Sequence, residues 1–349
     1  MANYAASVLA KGQATVEAKY QTPEQRRQLP TVMGLALKNQ SISMPDAQAL
    51  RVSPLRTVDV NYLTNIAAGS STAKVAVHTG TYGDSGSINV VYVQHVETLS
   101  MPKKIAANSI YDEGALFANR YEMAWKNLRT RHDTSALAFL NTNRCQLSPA
   151  VINPATASAN AGVWNGVNYA LEISQTDRAL FIQRAKAFMA ARFYTGPYDV
   201  VSDLQLAAAF EYQMNQGQGN ASNTSFQFGD ANIATSQMQI SSAYALGAAL
   251  IMPQGTLAGL NWNENLNKKG FEGGQTTTGR LGTMRDPLGS GAIGDISFYT
   301  ARADTSANGS GGSTQDLVDQ WEVTLTIGYV APPLSLASDS VIHLIGQSS

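Results

Sequence analysis

Hydrophobic and polar positions along the chain change their period several times, and each change predicts an element. Residues 1 to about 57 are polar, and Pro23, Pro30, Pro45 and Pro54 interrupt the periodic runs, which predicts an extended arm. From Val58 to Val96 the pattern alternates as a strand does, most clearly in KVAVHTGTY and SINVVYVQHV. In the second run Ile88, Val90 and Tyr92 share one face. Between the two runs stands GDSG, whose glycines and Asp-Ser pair suit a chain reversal, so a long β-hairpin is predicted with its tip at TYGDSGS.

A helical period follows from about Tyr111 to Arg131, with Phe117, Tyr121, Ala124, Trp125 and Leu128 on one face. Asp133 or Thr134 is placed to cap a continuation through Leu140. After an Asn-, Ala- and Gly-rich loop, Thr176 caps a second helix through Phe181, Ala185, Phe188 and Met189. A third starts in the capping-box pattern Ser202-x-x-Gln205 and presents Leu206, Phe210 and Met214. Strands return in YALGAALIMP and TLAGLNW around a turn at Pro253-Gln254-Gly255. Residues 264 to 294 read as an irregular loop, DISFYTARAD and WEVTLTIGYV as paired strands, and Val341 to Ile345 as a last short strand. The inventory is α+β, with no fixed-period repeat.

Composition narrows the function. The 349 residues suggest about two domains, and 44% hydrophobic residues supply a sizeable core. Charged residues are only 14%, well below the roughly 25% of ordinary soluble domains, as expected of a surface that is covered by other subunits. Twenty-four basic against 25 acidic residues, without a long basic run to neutralise phosphates, give no indication of direct DNA binding. The single cysteine, Cys145, excludes an intramolecular disulfide and reads as a small buried residue. No apolar run approaches the ~20 residues that cross a bilayer, and the first residues lack the apolar core of a signal peptide.

Candidate chemistry is sparse. GDSG matches the surroundings of the nucleophilic serine of chymotrypsin-like proteases, and His78 stands upstream of Ser85. A triad needs a base, an orienting acid and an oxyanion hole, whereas His78 shares the hairpin with Ser85 and has only Asp84 beside it. The turn reading is preferred, and no catalytic residue is assigned. His78, His95, His132 and His343 are scattered without metal-ligand spacing. NKKGFEGGQTTTG lacks the P-loop pattern, and Asp199 with Asp203 fits a helix N-terminus. No cofactor or metal is expected.

Particular stretches carry a family likeness: LAFLNTNRCQ at the end of the long helix, FYTGPYDVVSDLQL, ALIMPQGTLAGLNW, DISFYTARADTS and QDLVDQWEVTLTIGYVAPP. In these stretches and in the order of its elements the chain resembles the major capsid proteins of tailed double-stranded DNA bacteriophages. The resemblance implies an N-terminal arm at 1–57 and an extension loop at 58–106. It implies a peripheral domain at 107–198 and 263–333 with a spine helix at about 110–145, and an axial domain at 199–262 and 334–349. It also implies a structural protein, not an enzyme, that self-assembles through hexamers and pentamers into an icosahedral head enclosing the DNA genome without sequence-specific binding.

Scaffolding, portal and decoration proteins are the partners the family brings, no membrane is involved, and the location is the virion, assembled in the host bacterial cytoplasm. The chain starts at the arm without a scaffold-like segment, so a separate scaffold or none is expected. Nothing ties Lys74, Lys103 or Lys104 to Glu322 as a cross-link. Inter-subunit contacts are expected at the hairpin, from Tyr82, Asp84, Ser85 and Tyr92. Alternatives are a nanocompartment shell of the same fold, a tail-tube or adhesin subunit, and a serine hydrolase using Ser85.

Overall fold

The computed structural model describes residues 2–19, 31–38, 57–63, 85–102, 113–147, 162–192, 194–206, 210, 226–228, 230–263, 278–304, 315–332 and 340–348. Its backbone is a 30-residue helix, α3 (Glu113–Thr142), lying on a six-stranded sheet. Phe117, Tyr121, Ala124, Trp125, Leu128 and Leu140 are all buried along one face, as their spacing predicts. The predicted break at Asp133 does not occur. Asp133 faces inward, where its Oδ1 accepts the Met33 amide at 2.8 Å, so it fastens another segment instead of capping this one.

The sheet beside α3 runs β1 (Thr57–Leu63), β2 (Ser85–Pro102), β12 (Gln315–Val330), β11 (Ile293–Asp304) and β10 (Thr278–Arg285), all antiparallel. β9 (Ala258–Trp262) joins β12 at Thr326–Val330, directly beyond the stretch that β11 occupies. Trp321, Val323, Leu325 and Ile327 alternate inward from β12 onto α3, and Phe117 meets Trp321 edge-on at 4.9 Å. The β11–β12 pairing agrees with the sequence reading. The irregular loop expected over 264–294 does not hold throughout, because Thr278–Arg285 within it forms β10, whose Gly282 sits at φ +120° where the register shifts.

Seven strands make a second sheet in the order β3 (Val163–Asn165), β4 (Ala170–Ser174), β13 (His343–Ser348), β8 (Ala248–Pro253), β5 (Tyr198–Asp203), β7 (Ala231–Ser236), β6 (Phe226–Phe228). α4 (Phe181–Ala191), entered through a 3-10 turn at Gln175–Leu180, packs Phe181, Ile182, Ala185, Phe188 and Met189 into a core on this sheet. The turn is capped by Ser174, whose hydroxyl accepts from Thr176, two residues before the expected cap. The capping box at Ser202 is also corrected. Ser202 lies buried inside β5, and it is Asp203 that accepts the Leu206 amide (3.1 Å) as the chain turns helical at 204–206. Asp199 therefore lies inside a strand and not at a helix N-terminus, whereas Asp203, the last residue of β5, does cap the helical turn that follows.

Two further expectations change. The segment 1–57 is not simply extended: α1 (Ala2–Lys19) and α2 (Val32–Lys38) are helical, and all four prolines named above lie outside both. α1 runs parallel to α3, since Lys11 meets Gly114, Gly12 meets Phe117 and Lys19 meets Glu122. YALGAALIMP and TLAGLNW do not pair with each other either. β8 stays in the seven-stranded sheet, and the turn at Pro253–Thr256 carries the chain across to the six-stranded one. Gly255, at φ +83°, makes that turn possible. No helix among the described residues is long and apolar enough to cross a membrane.

Candidate assembly interface

β2 has two halves with different partners. Its second half, Tyr92–Pro102, is held inside the sheet by β12, while Ser85–Val91 pairs only with β1 among the described residues. The paired ends, Leu63 and Ser85, therefore terminate a two-stranded ribbon that runs past the edge of β12. An isolated ribbon of this kind is marginal in water and leaves backbone donors and acceptors at its edge, so it gains stability from a neighbouring surface.

The root of the ribbon is built by a small separate core of Val90, Tyr92, Leu260, Trp262 and Val330. Tyr92 packs on Trp262 at 6.3 Å between ring centroids. Gly328 lets this happen, because a Cβ there would stand 2.9 Å from Val90 Cγ1 and 3.0 Å from Tyr92 Cδ1. Below the root, β2 is fixed to α3: His95 Nε2 lies 3.0 Å from Ser135 Oγ, and Arg131 pairs with Glu97 at 3.1 Å. His132 meets His95 edge-on at 4.6 Å, between the Leu325 carbonyl (3.0 Å) and the Tyr329 hydroxyl (3.2 Å). Burial, above all, lowers its pKa to about 4, and the neighbouring His95 adds to that against the Leu325 bond.

Of the expected contact residues, Tyr82 and Asp84 lie outside the described residues, as do the run Lys74–Tyr82 and His78. Ser85 is placed at the ribbon end, paired through its backbone with Leu63. The partner of SINVV is thus TVDVNYL. Tyr92 is only 6% exposed, its ring already used within its own chain. His95, ten residues from Ser85 along the same strand, stands up to ~33 Å away, and His132 packs on it. His343 is fully covered in the other sheet, against Phe188 and Arg192. No described histidine is thereby placed to serve Ser85 as a base.

The seven-stranded sheet holds polar side chains whose structural roles the sequence did not disclose. Asp203 Oδ2 accepts the Ala248 amide at 2.7 Å, and Asp199 Oδ2 accepts the Gly255 amide at 3.1 Å, so two buried carboxylates tie β5 to β8 and to the crossover turn. Burial raises the Asp203 pKa. Arg192, at the end of α4, reaches Cys145 Sγ (3.4 Å), the Leu147 carbonyl (3.3 Å) and the His343 ring (3.3 Å), which joins the end of α3 to the second core. Cys145 is buried, as expected. Among the described residues no group of three or more His, Cys, Asp or Glu could hold a metal.

No family model matches the sequence, and no curated protein matches it. Solved structures do. That of Mycobacterium phage Che8 covers 91% of this chain and 92% of its own at 10% identity and a TM-score of 0.50. The chain has the fold of a tailed-phage capsid protein. The capsid structure of the cyanophage P-SCSP1u matches over 85% of each chain at 10% identity (TM-score 0.45). The capsid of a native GTA particle matches over 89% of this chain and 93% of its own at 10% identity (TM-score 0.44). The expected α+β class agrees with this fold, which spans nearly the whole chain.

Proposed function

We propose that this protein is the major capsid subunit of a tailed double-stranded DNA phage, assembling through hexamers and pentamers into the head shell. The observation that carries the proposal is the fold shared over 91% of the chain with a phage structure. A projecting ribbon and a charge-poor surface support it, because both are stabilised by neighbouring copies. In this reading the body of α3 and the six-stranded sheet is the peripheral domain, and the seven-stranded sheet is the axial domain. This reading moves the axial boundary ahead of residue 198, so that β3, β4 and α4 go with the sheet that they build or pack on. The ribbon end, with Ser85 and the adjoining Tyr82 and Asp84, contacts a neighbouring subunit, while Tyr92 anchors the root. The shell forms in the bacterial cytoplasm, with portal, scaffolding or decoration proteins as further partners.

Electron microscopy of the purified protein tests the proposal directly. Closed polyhedral shells, or rings of five and six subunits, are expected. A monomer that persists under every assembly condition overturns it.

A further inference from the structure

α3 and the strand that carries the ribbon are joined in two different ways. Toward its end β2 turns Leu99 and Met101 into the same apolar core as α3, a contact with nothing to titrate. Nearer the ribbon the joint is polar. His95 lies against His132, Glu97 pairs with Arg131, and the Arg131 guanidinium also reaches the Val96 carbonyl at 3.4 Å. The joint is therefore an apolar hinge at one end and a titratable clasp at the other.

The hydrogen bonds of the clasp fix where its protons sit. Ser135 gives its hydroxyl proton to the Arg131 carbonyl (3.1 Å), so it accepts from His95 Nε2–H, and the bare Nδ1 is the atom that an added proton would take. His132 Nε2 donates to the carbonyl of Leu325, which is the partner of His95 in the β2–β12 register. Its Nδ1 faces the Tyr329 hydroxyl, which has a second acceptor in the His132 carbonyl at 3.0 Å. With His132 neutral the hydroxyl donates to Nδ1; with His132 charged it turns to the carbonyl and accepts instead. Neither state leaves a donor or acceptor unmatched.

Charge, not hydrogen bonding, therefore decides whether the clasp holds. The rings are 4.6 Å apart, and Arg131 stands beside them. Of the nearby acids, Glu97 is taken by Arg131, and Asp133 accepts the Met33 amide. Burial above all, with the Asp133 charge adding to it, keeps the Tyr329 hydroxyl protonated, so β12 contributes no anion. Burial and then Arg131 lower the His95 pKa against the pull of Glu97, and His132 is lowered as described above. Two imidazolium rings in contact repel, so the closed clasp binds fewer protons than an opened, hydrated one. Acid favours the open form.

We propose that the His95–His132 contact is an acid-released latch: closed, it fixes the ribbon-bearing strand to α3, and when both rings are charged it opens about the Leu99–Met101 hinge. The latch is a property of the single subunit and stands apart from the shell reading.

The test places spin labels on unassembled subunits at two exposed positions, Ser87→Cys on the ribbon and Asn127→Cys on α3, Cys145 being buried. Double electron–electron resonance then reads the distance between them from about pH 7.5 down to about 4.5. One narrow distance is expected at neutral pH, giving way to a broader and longer one in acid while far-UV circular dichroism stays constant. His95→Gln keeps a donor for Ser135 and removes one of the two charges, so it should hold the narrow distance to a pH lower by about one unit or more. A distance that never changes, a His95→Gln protein that opens at the same pH as the wild type, or helix loss in step with the distance change overturns the proposal.

Discussion

His132 and Asp133 are adjacent in sequence and respond to acid with opposite signs. His132 has its pKa lowered from 6.5 to about 4, so the folded chain holds it neutral while the unfolded chain would charge it. Its contribution is complete above 6.5 and is lost as the pH falls toward 4, on the order of 3 kcal/mol in all. Asp133 is raised from 3.8 to about 6, so its contribution is complete below 3.8 and is lost as the pH rises through 6. Between pH 6 and 4 the two offset each other. Urea unfolding from pH 8 to 4 should therefore show a shallow profile for the wild type. Asp133→Asn should gain most over wild type at pH 8 and lose that advantage toward pH 4; His132→Asn should gain relative to wild type as the pH drops below 6.5. Parallel profiles for all three proteins would contradict this account.

Among the elements, α1 depends most narrowly on one position. Gly12 faces Phe117, and a Cβ there would come within 2.3 Å of its ring. The ring cannot retreat, because Phe117 is fully buried and packed on Tyr121 and Trp321. Alanine would raise helix propensity by about 1 kcal/mol, but overpacking of this kind costs about 1–3 kcal/mol. Gly12→Ala should therefore loosen α1 from α3 and increase hydrogen exchange over Ala2–Lys19, while exchange in β11 and β12 stays as it was. Unchanged protection of α1 would show that the close approach is unimportant.

The same element shows why some of the fold was legible in the sequence and some was not. α3 and β12 carry long periodic apolar faces that dominate any local signal. Among its described side chains α1 offers the apolar core Val8, Leu9 and Val16, diluted by alanines, and nearby prolines drew the reading toward an extended arm. At Ser202 the capping-box letters were present, but the sheet needed both faces of YDVVSD and prevailed over local preference. ANIATS and TGRLGTMR carry too little β-type alternation to announce β7 and β10. The ribbon was legible from Ile88, Val90 and Tyr92, although its partner strand was not.

Over the whole molecule, the seven-stranded sheet feeds two cores at once. Leu250 and Met252 of β8 point into the core shared with α3 and the six-stranded sheet, whereas Ala249 and Ile251 point into the core under α4. β13 does the same with Leu344 and Ile345, and β5 with Val201 and Val200. Neither core can come apart without stripping one face of the strands that build the other, and the Cys145 amide to Ile342 carbonyl bond (2.8 Å) ties the end of α3 to this sheet. The subunit should therefore melt as one cooperative unit despite its two sheets. Leu250→Ala and Ile251→Ala remove buried side chains from opposite faces, and each should lower stability by about 2–5 kcal/mol. In scanning calorimetry of the unassembled subunit, both should shift a single transition. Two resolved transitions, with each substitution moving a different one, would mean that the sheets fold independently and that the shared strands do not couple them.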